Sequence, residues 1–422
     1  MMVLAACQSQ QQEPEPAPPS PPVNTPLMLS PSPAVAVVVE PTPAIATLRV
    51  WGPVDFDPQR PNADAEIWQQ QQSDFETVHP EIEMVYEAKP LTGPASLLTY
   101  LNAASSVAPS VLPDLIIIPV TALAEAAQTG RLFPLDSLIA APIQEDFYPF
   151  AIRDTSVEGQ WLALPLAVRI EHGLTRSGRR GQIPLTLDKM ASDSAPTWLF
   201  SAQDSANGEV SNALLLQLLA ITAPRPGPES LPTEANLVAL FTALQAAQGA
   251  GTIPNQVLLL AESDDLVGRL ENGEAELIEG NSYRYLEERR QGTSVTFAPI
   301  PTLFGHPVTV VDGYLIALTT DEPRQQAAAI SYISWILTPS RLAAWSRASH
   351  WVPARRSALA AAIDEDSYRT FLAERLENGW LRPSDAPWRD FGQTLHAQFR
   401  ALLLGHISPA QAAETIIDRY EP

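Results

Sequence analysis

Cysteine occurs once among the 422 residues, at Cys7, so the chain forms no internal disulfide and no zinc site of the CxxC type. Basic residues are scarce, with 26 Lys and Arg against 48 Asp and Glu, and the net charge is -22. Proteins that bind nucleic acids need a basic surface to displace counterions from the phosphates. We therefore expect no nucleic-acid partner.

The sequence also lacks a run of about 18 uncharged apolar residues, so we expect no membrane-spanning helix. Aromatic residues make up only 7% of the chain, whereas apolar residues make up 45% and charged residues 18%. This balance is typical of a soluble globular protein. The length suggests two or three domains, each large enough to bury its own core.

Known catalytic motifs are missing too. We find no GxSxG, HExxH or P-loop sequence, and no two of the six histidines are four residues apart, so we expect no catalytic residue, no cofactor and no local metal site. Paired carboxylates about 5–10 Å apart can cleave glycosides. We interpret the one acidic cluster as a solvated helix face, formed by Glu271, Glu274, Glu276 and Glu279.

The first 46 residues are predicted to be a tether. Leu4-Ala5-Ala6-Cys7 resembles a bacterial lipobox, in which the cysteine receives a lipid, and this predicts a membrane anchor at Cys7. Only six residues precede Cys7 and none is basic, so we expect the true start and the rest of a signal peptide to lie upstream. Residues 8–46 contain eleven prolines and no Lys or Arg, a composition that favours an extended spacer.

From Thr47 onward, strand and helix patterns alternate. Thr47–Trp51 alternates in polarity and predicts a strand, and a helix is predicted from Asn62 or Asp64 through Val78. Asp114–Ile118 is a continuous apolar run, typical of a buried parallel strand. Further strands are predicted at Glu81–Glu87, Trp198–Ala202, Val295–Pro299, Val308–Val311 and Tyr314–Leu318. Further helices are predicted at Pro94–Ser105, Thr121–Gly130, Val210–Ile221, Pro232–Gly249, Asp264–Glu271, Arg324–Leu337, Ser340–Ala348, Arg389–Leu404 and Pro409–Arg419. This rhythm indicates an α/β fold.

Several stretches, taken in order, resemble one protein family. They are FETVHPEIEMVYE (75–87), LPDLIIIPVTALAEAAQTGRLFPLDSLI (112–139), EGQWLALPLAV (158–168), LENGEAELIEGNSYRY (270–285), FAPIPTLFG (297–305), DGYLIAL (312–318), AAAISYISWILTPSRLAAWSRASHWVPARRSAL (327–359) and LLLGHISPAQAAETI (402–416). In this order they are similar to bacterial extracellular solute-binding proteins of the sugar-binding family 1 type, which deliver ligands to ABC importers.

The resemblance implies a two-lobed periplasmic-binding-protein-like fold of type II, in which hinge crossings join the lobes and the cleft closes over its ligand. Carried over, the crossings fall near Leu164-Pro165, Pro299–Pro301 and Leu337–Ser340. The expected N-terminal lobe comprises residues 47–164 and 302–337. The expected C-terminal lobe comprises residues 165–301 and 338–422.

The implied function is that of an ABC importer's substrate-binding component, which captures an extracellular oligosaccharide or polyol. Its expected partners are the sugar and the permease subunits. The protein is expected to act as a monomer, held by its lipid at the outer face of the cytoplasmic membrane. Residues 171–176 (EHGLTR) have no aromatic residue where family members often carry an aromatic pair. This motivates an alternative, a ligand-sensing or scaffold lipoprotein of the same fold that is not coupled to transport. A more distant alternative is an extracellular glycosidase.

Sugars are bound by aromatic rings, which cover C–H faces, and by polar side chains, which pair with hydroxyls. Ten residues of these types lie where ligands sit, beyond the carboxyl ends of strands or at the crossings. They are Trp51, Asp55, Phe56, Arg169, Glu171, Asn281, Tyr283, Asp312, Tyr314 and Trp351.

For some of these residues the sequence leaves a structural role open. Trp51 and Trp351 are candidates for ring stacking and equally for core packing. Arg169 and Glu171 either bind ligand or pair with each other, and Asp312 to Tyr314 either faces the ligand or forms a plain turn.

Overall fold

The computed structural model describes residues 46–107, 111–203, 210–222, 232–261, 264–383 and 386–420, all within one compact unit. Cys7 and nearly all of the predicted tether lie outside the described residues. None of the helices within these ranges is long and apolar enough to cross a membrane.

The described part of the chain combines a large sheet with many helices, as the alternating pattern predicts. Its strands are β1 (Ala46–Gly52), β2 (Ile82–Ala88), β3 (Leu115–Pro119), β4 (Ser156–Val157), β5 (Gln160–Trp161), β6 (Ala163–Arg176), β7 (Trp198–Leu199), β8 (Leu277–Asn281), β9 (Val295–Ala298), β10 (Thr309–Leu318) and β11 (Gly379–Leu381). Its α-helices are α1 (Ala63–Val78), α2 (Leu97–Val107), α3 (Leu123–Gln128), α4 (Ala141–Asp146), α5 (Phe150–Arg153), α6 (Asn212–Ile221), α7 (Glu234–Gly249), α8 (Leu266–Asn272), α9 (Ser282–Gln291), α10 (Pro323–Ile336), α11 (Pro339–Ser349), α12 (Arg356–Ala362), α13 (Asp366–Glu377), α14 (Ala386–Leu403) and α15 (Pro409–Tyr420).

The main sheet has the strand order β2-β1-β3-β10-β6-β8-β7, with β11 beside β10 and β9 beside β6. Strand β1 runs parallel to β2 and β3, whereas β10 runs antiparallel to both β3 and β6. Strand β3 is buried because its sequence LIIIP offers apolar side chains to both faces of the sheet, as expected for a central strand.

Strand β6 joins two groups of strands. Its first half, Ala163–Ile170, pairs with β10, and its second half, Glu171–Arg176, pairs with β8 and β9. The first group therefore consists of β1, β2, β3, β10 and β11, and the second of β7, β8 and β9. A 14-residue strand shared by both groups fixes the direction in which side chains leave the sheet where they meet.

Strand β10 corrects one expectation. The sequence predicts two strands, Val308–Val311 and Tyr314–Leu318, and leaves a plain turn at Asp312 to Tyr314 as one alternative, but a single strand runs through Thr309–Leu318. Gly313 has φ +141°, and the pairing with β6 shifts register between Tyr314 and Leu315. Strand β10 therefore passes through Asp312 without a turn, and the register shift leaves Leu166 of β6 unpaired, as a bulge on that strand.

The acidic cluster is the second correction, because it does not form one solvated helix face. Glu271 belongs to α8, while Glu274 and Glu276 lie in the connection that follows it. Glu279 lies on β8 and is buried, with the backbone N–H of Ser201 donating to its carboxylate over 2.8 Å. A left-handed Gly273 ends α8, so the sequence after it continues as a loop and a strand.

Candidate ligand-binding cleft

An ion pair stands where the two groups of strands meet. Arg169 of β6 lies opposite Asp312 of β10 in the antiparallel register, and their side chains approach to 2.6 Å. Asp312 also accepts a hydrogen bond from the backbone N–H of Gly313 at 2.8 Å. The next register position on the other side of β6 places Glu171 opposite Asn281 of β8. These two antiparallel pairings thus place four predicted site residues next to one another where the two groups of strands meet.

The first cavity has a volume of about 430 Å³ and lies beside the second strand group. Arg169 and Glu171 border it, together with Asn281. Carboxylates, guanidinium groups and amides dominate its wall. The remaining lining residues are Ser201, Asn212, Asp264, Asp265, Leu266, Val267, Glu279, Gly280 and Arg284. This cavity can therefore both donate and accept hydrogen bonds.

Local structure positions these polar side chains. Asn281 caps α9 by accepting a hydrogen bond from the backbone N–H of Arg284 at 2.9 Å. Arg284 in turn reaches Glu288, which is buried, at 2.7 Å. The cap holds the amide of Asn281 at the start of the helix, and the ion pair fixes the guanidinium group of Arg284 along it.

Buried acceptor groups line the floor of this cavity. Asn212, the first residue of α6, donates from Nδ2 to Oε1 of Glu171 at 3.0 Å, and both side chains are buried. The amide orientation that this bond requires leaves Oδ1 of Asn212 without a donor among the described residues. A buried carbonyl oxygen of this kind gains from a ligand that donates a hydrogen bond.

The second cavity, of about 360 Å³, lies on the other side of Arg169. Asp55 borders it from the segment after β1, Tyr283 from α9, and Trp351 from the segment after α11. Its other lining residues are Arg60, Asn62, Ala63, Asp64, Arg290, Ala348, Ser349 and His350. Because Arg169 borders both cavities, they form one polar cleft along β6.

A chain of aromatic rings backs the second cavity. Trp351 lies 5.5 Å from Tyr283 and 5.4 Å from Tyr314, and Tyr314 lies 5.0 Å from Phe56, measured between ring centroids. The hydroxyl of Tyr314 donates to Asp55 at 3.2 Å. Tyr283 and Trp351 are half-buried, so each presents part of a ring to the cavity. Such surfaces suit ring-shaped ligands with apolar C–H faces.

Two tyrosines and one histidine beside the second cavity, Tyr283, Tyr314 and His350, are neutral near pH 7. Burial and the neighbouring Asp55 raise the pKa of Tyr314 to about 12, and burial raises the pKa of Tyr283. Burial, assisted by Arg290, lowers the pKa of His350. Both phenols therefore keep their protons, and the hydroxyl of Tyr314 already donates its proton to Asp55.

The structure brings most of the candidate residues together, but Trp51, Phe56, Asp312 and Tyr314 line neither cavity. Trp51 is buried beneath Lys89, whose ammonium lies 4.6 Å from the ring centroid, and it borders neither cavity. Phe56 is also buried and supports Tyr314 from behind. Asp312 contacts Arg169 but does not itself line either cavity.

Sequence reasoning missed several lining residues. Asn212 could have been found from the sequence, since Ser211-Asn212 precedes the apolar run ALLL and so predicts the start of a buried helix. Arg284 and Arg290 lie on α9, a helix that the sequence analysis did not predict. The others occupy loops whose position depends on distant contacts. They are Arg60, Asp264, Asp265 and His350, whereas Asp64 lies in the first turn of the predicted helix α1.

Among the described residues, no group of three or more His, Cys, Asp or Glu side chains is arranged to hold a metal ion.

Comparison with known proteins gives a family and a fold. A sequence model of the family described as bacterial extracellular solute-binding protein matches residues 73–369. A search of curated proteins finds no match.

Solved structures of two-lobed proteins are similar to this one at low sequence identity. The cyclic alpha-maltosyl-1,6-maltose binding protein from Arthrobacter globiformis has a TM-score of 0.69 at 15% identity, covering 89% of this chain and 99% of that protein. A cyclo/maltodextrin-binding protein complexed with maltotetraose has a TM-score of 0.68 at 16% identity, covering 90% and 98%. The sugar-binding protein MalE from the phytopathogen Xanthomonas citri has a TM-score of 0.66 at 16% identity, covering 89% and 96%. The two-lobed fold expected from the sequence is confirmed.

Proposed function

The chain belongs to the bacterial extracellular solute-binding proteins, and from that premise we propose that it captures a carbohydrate, an oligosaccharide or a polyol, for an ABC-type importer. The observation that carries the proposal is the composition of the cleft, in which half-buried Tyr283 and Trp351 adjoin the polar wall around Arg169. Rings cover the C–H faces of a sugar, and carboxylates, amides and guanidinium groups pair with its hydroxyls.

The structural neighbours support a sugar over other solutes. The similar proteins include one that binds a cyclic maltosyl-maltose and one solved with maltotetraose. Both cavities of this chain are lined mainly by polar groups, as a ligand rich in hydroxyls requires. We therefore place linear and cyclic α-glucans first among the candidate ligands.

Titration calorimetry with maltose, maltotetraose, a cyclodextrin and sorbitol tests the proposal. We expect saturable binding of at least one of these compounds by the wild type, and weaker binding by Tyr283→Ala. Absence of heat with every carbohydrate, alongside binding of a peptide or a polyamine, would replace the sugar by another solute class. Deletion of the gene for this protein then separates uptake from sensing, since only the loss of an importer component abolishes uptake of the ligand.

We further propose that the lobes comprise residues 47–164 with 302–337 and residues 165–301 with 338–422, with one adjustment. Trp345 of α11 contacts Phe56 and Trp68 at ring-centroid distances of 5.5 and 5.6 Å. Tyr368 of α13 contacts Tyr285 of α9, the helix that follows β8 of the second group, at 4.3 Å between ring centroids. These contacts favour a third crossing between α11 and α13, rather than at Leu337–Ser340.

Lipid attachment at Cys7 and placement at the outer face of the cytoplasmic membrane complete the proposal. Metabolic labelling with a lipid probe should mark the protein, and Cys7→Ala should remove the mark. A labelled Cys7→Ala variant would assign the anchor to another residue. We also propose that the protein binds without catalysis, as a monomer, and an assay with chromogenic glycosides should release no product.

A further inference from the structure

A third cavity, of about 470 Å³, lies near the second strand group and is separate from the aromatic wall of the cleft. Segments beside the middle of β6 form it, namely residues 180–185, residues 299–308, α6 and α13. It borders Glu171 and His172 of β6, so only Glu171 is shared with the cleft. Two arginines on different segments face it, Arg180 and Arg375.

Arg375 is unusual because it is only 7% exposed. Its Nη1 donates to the backbone oxygen of Phe371 at 3.4 Å and to Glu374 at 3.3 Å. Its Nε and Nη2 have no hydrogen-bond partner in the part of the chain that the structure describes. Burial lowers the pKa of Arg375 to about 10, and the charge of Arg180 contributes to this shift. At pH 7 the group therefore remains a cation with unused donors.

Arg180 is the second cation of this cavity. Its guanidinium carbon lies 3.8 Å from the ring centroid of Phe297 and 5.7 Å from that of Phe371. Over the described ranges its guanidinium group makes no ion pair and no hydrogen bond. Glu374 is 58% exposed and already contacts Arg375, and Glu171 accepts from Asn212 on the cleft side. The positive charge of Arg180 is thus held in place by two rings and lacks a carboxylate partner.

We propose that this cavity binds a small oxyanion, a carboxylate or phosphate group, held jointly by Arg180 and Arg375. Guanidinium groups offer only donors, in a planar arrangement that matches two oxygens of such an anion. Both groups lie against the ring of Phe371, so one anion can reach both. The net charge of -22 repels anions from the surface as a whole, so binding requires a local site of this kind.

Calorimetric titration with inorganic phosphate at constant ionic strength tests the site. A second titration, with citrate, tests a carboxylate ligand. We expect saturable binding by the wild type, and binding about tenfold weaker or worse in Arg180→Gln, because charge-assisted hydrogen bonds are lost. Arg179→Gln is the matched control. Arg179 is the exposed neighbour, contacts Gln182 at 2.7 Å and does not border the cavity, so its affinity should equal that of the wild type.

Arg375→Lys provides a second variant, since it keeps the charge but removes the planar arrangement of donors. We expect it to weaken binding as well. Thermal unfolding of each variant separates loss of the site from loss of the fold. Saturation with neither phosphate nor citrate in the wild type overturns the proposal, as does an equal loss in Arg179→Gln. The outcome is independent of whether the cleft binds a carbohydrate, because no sugar is present in this titration.

Discussion

At the scale of single residues, the second cavity depends on one tryptophan. Trp351 contacts both Tyr283 and Tyr314 and borders the cavity itself, whereas Trp51, which looked equivalent in the sequence, is buried beside Lys89. The difference arises from long-range packing. A ring that ends a strand is exposed or covered according to which loop folds over it, and the local sequence does not specify that loop.

Replacing Trp351 by alanine should weaken carbohydrate binding about tenfold, because an aromatic face contributes about 0.5–1.5 kcal/mol beyond the area that it buries. Calorimetry with the best ligand of the panel measures the change. Trp380→Ala is a suitable control, because Trp380 is half-buried under Arg153 and borders neither cavity of the cleft. Equal affinities of the wild type and Trp351→Ala would remove Trp351 from the site.

The buried His172 leads to a second prediction at this scale, which concerns the stability of the protein in acid. Its Nδ1 donates to the backbone oxygen of Gly173 at 2.9 Å, so Nε2 is left to accept from the hydroxyl of Tyr368 at 3.0 Å. Burial lowers the pKa of His172 to about 3 from 6.5, with Arg375 opposing its protonation too. The native imidazole is therefore neutral in a pH range where the unfolded chain is protonated.

This difference makes the native state less stable in acid. Between pH 6.5 and 3 the unfolded state binds one more proton at this position, so the stability contributed by His172 falls as the pH falls. From pH 6.5 to pH 5 the loss should be about 2 kcal/mol. Urea unfolding at pH 7.5 and 5 measures it, and His172→Gln should lose this share of the pH dependence. His406→Gln, at an exposed position, should keep the wild-type dependence.

At the scale of elements, strands with a continuous local pattern could be predicted from the sequence. Thr47–Trp51 and Asp114–Ile118 correspond to β1 and β3, because apolar side chains and flanking prolines define them locally. Helices α9 and α13 were not predicted, because SYRYLEERRQ and DSYRTFLAERLE carry many charges and only a weak apolar stripe. Their tyrosines are buried by tertiary contacts, as in the pair Tyr285 and Tyr368.

The candidate site shows the same division. The residue types at Arg169, Glu171 and Asn281 could be identified because they follow crossings and strand ends. Their partners could not be identified, because the register of β6 with β8 and β10 determines which residues lie opposite each other. A shift of one residue would turn Arg169 to the other face of the sheet, and nothing in a short sequence window fixes that register.

Gly313 allows β10 to pass close to the backbone of β6. A Cβ at this position would lie 2.1 Å from the backbone oxygen of Ala167, and the φ of +141° is unfavourable for other residues. Gly313→Ala should therefore lower the free energy of unfolding by about 2–4 kcal/mol, by forcing β10 away from β6. Chemical denaturation measures the change. Gly249→Ala, at the end of α7 with no atom within 4 Å of the added carbon, should have little effect.

At the scale of the whole molecule, capture requires the ligand to favour a closed form. A ligand with equal affinity for the open and closed forms shifts no population, so closure needs contacts from both sides of β6. The cleft supplies them. Asp55 approaches from the segment after β1, and Asn281 lies at the end of β8 in the second group. Arg169, between them, borders both cavities.

Small-angle scattering should therefore show a smaller radius of gyration with saturating ligand than without it. Asp55→Ala removes a contact from the first side only, because the partners of its carboxylate, Tyr314 and Arg60, also lie on that side. We expect this variant to bind more weakly and to be closed in a smaller fraction of molecules at the same ligand concentration. Its radius without ligand should equal that of the wild type. If both proteins bind the ligand with no change in radius, binding uses one lobe alone, and lobe closure has no part in capture.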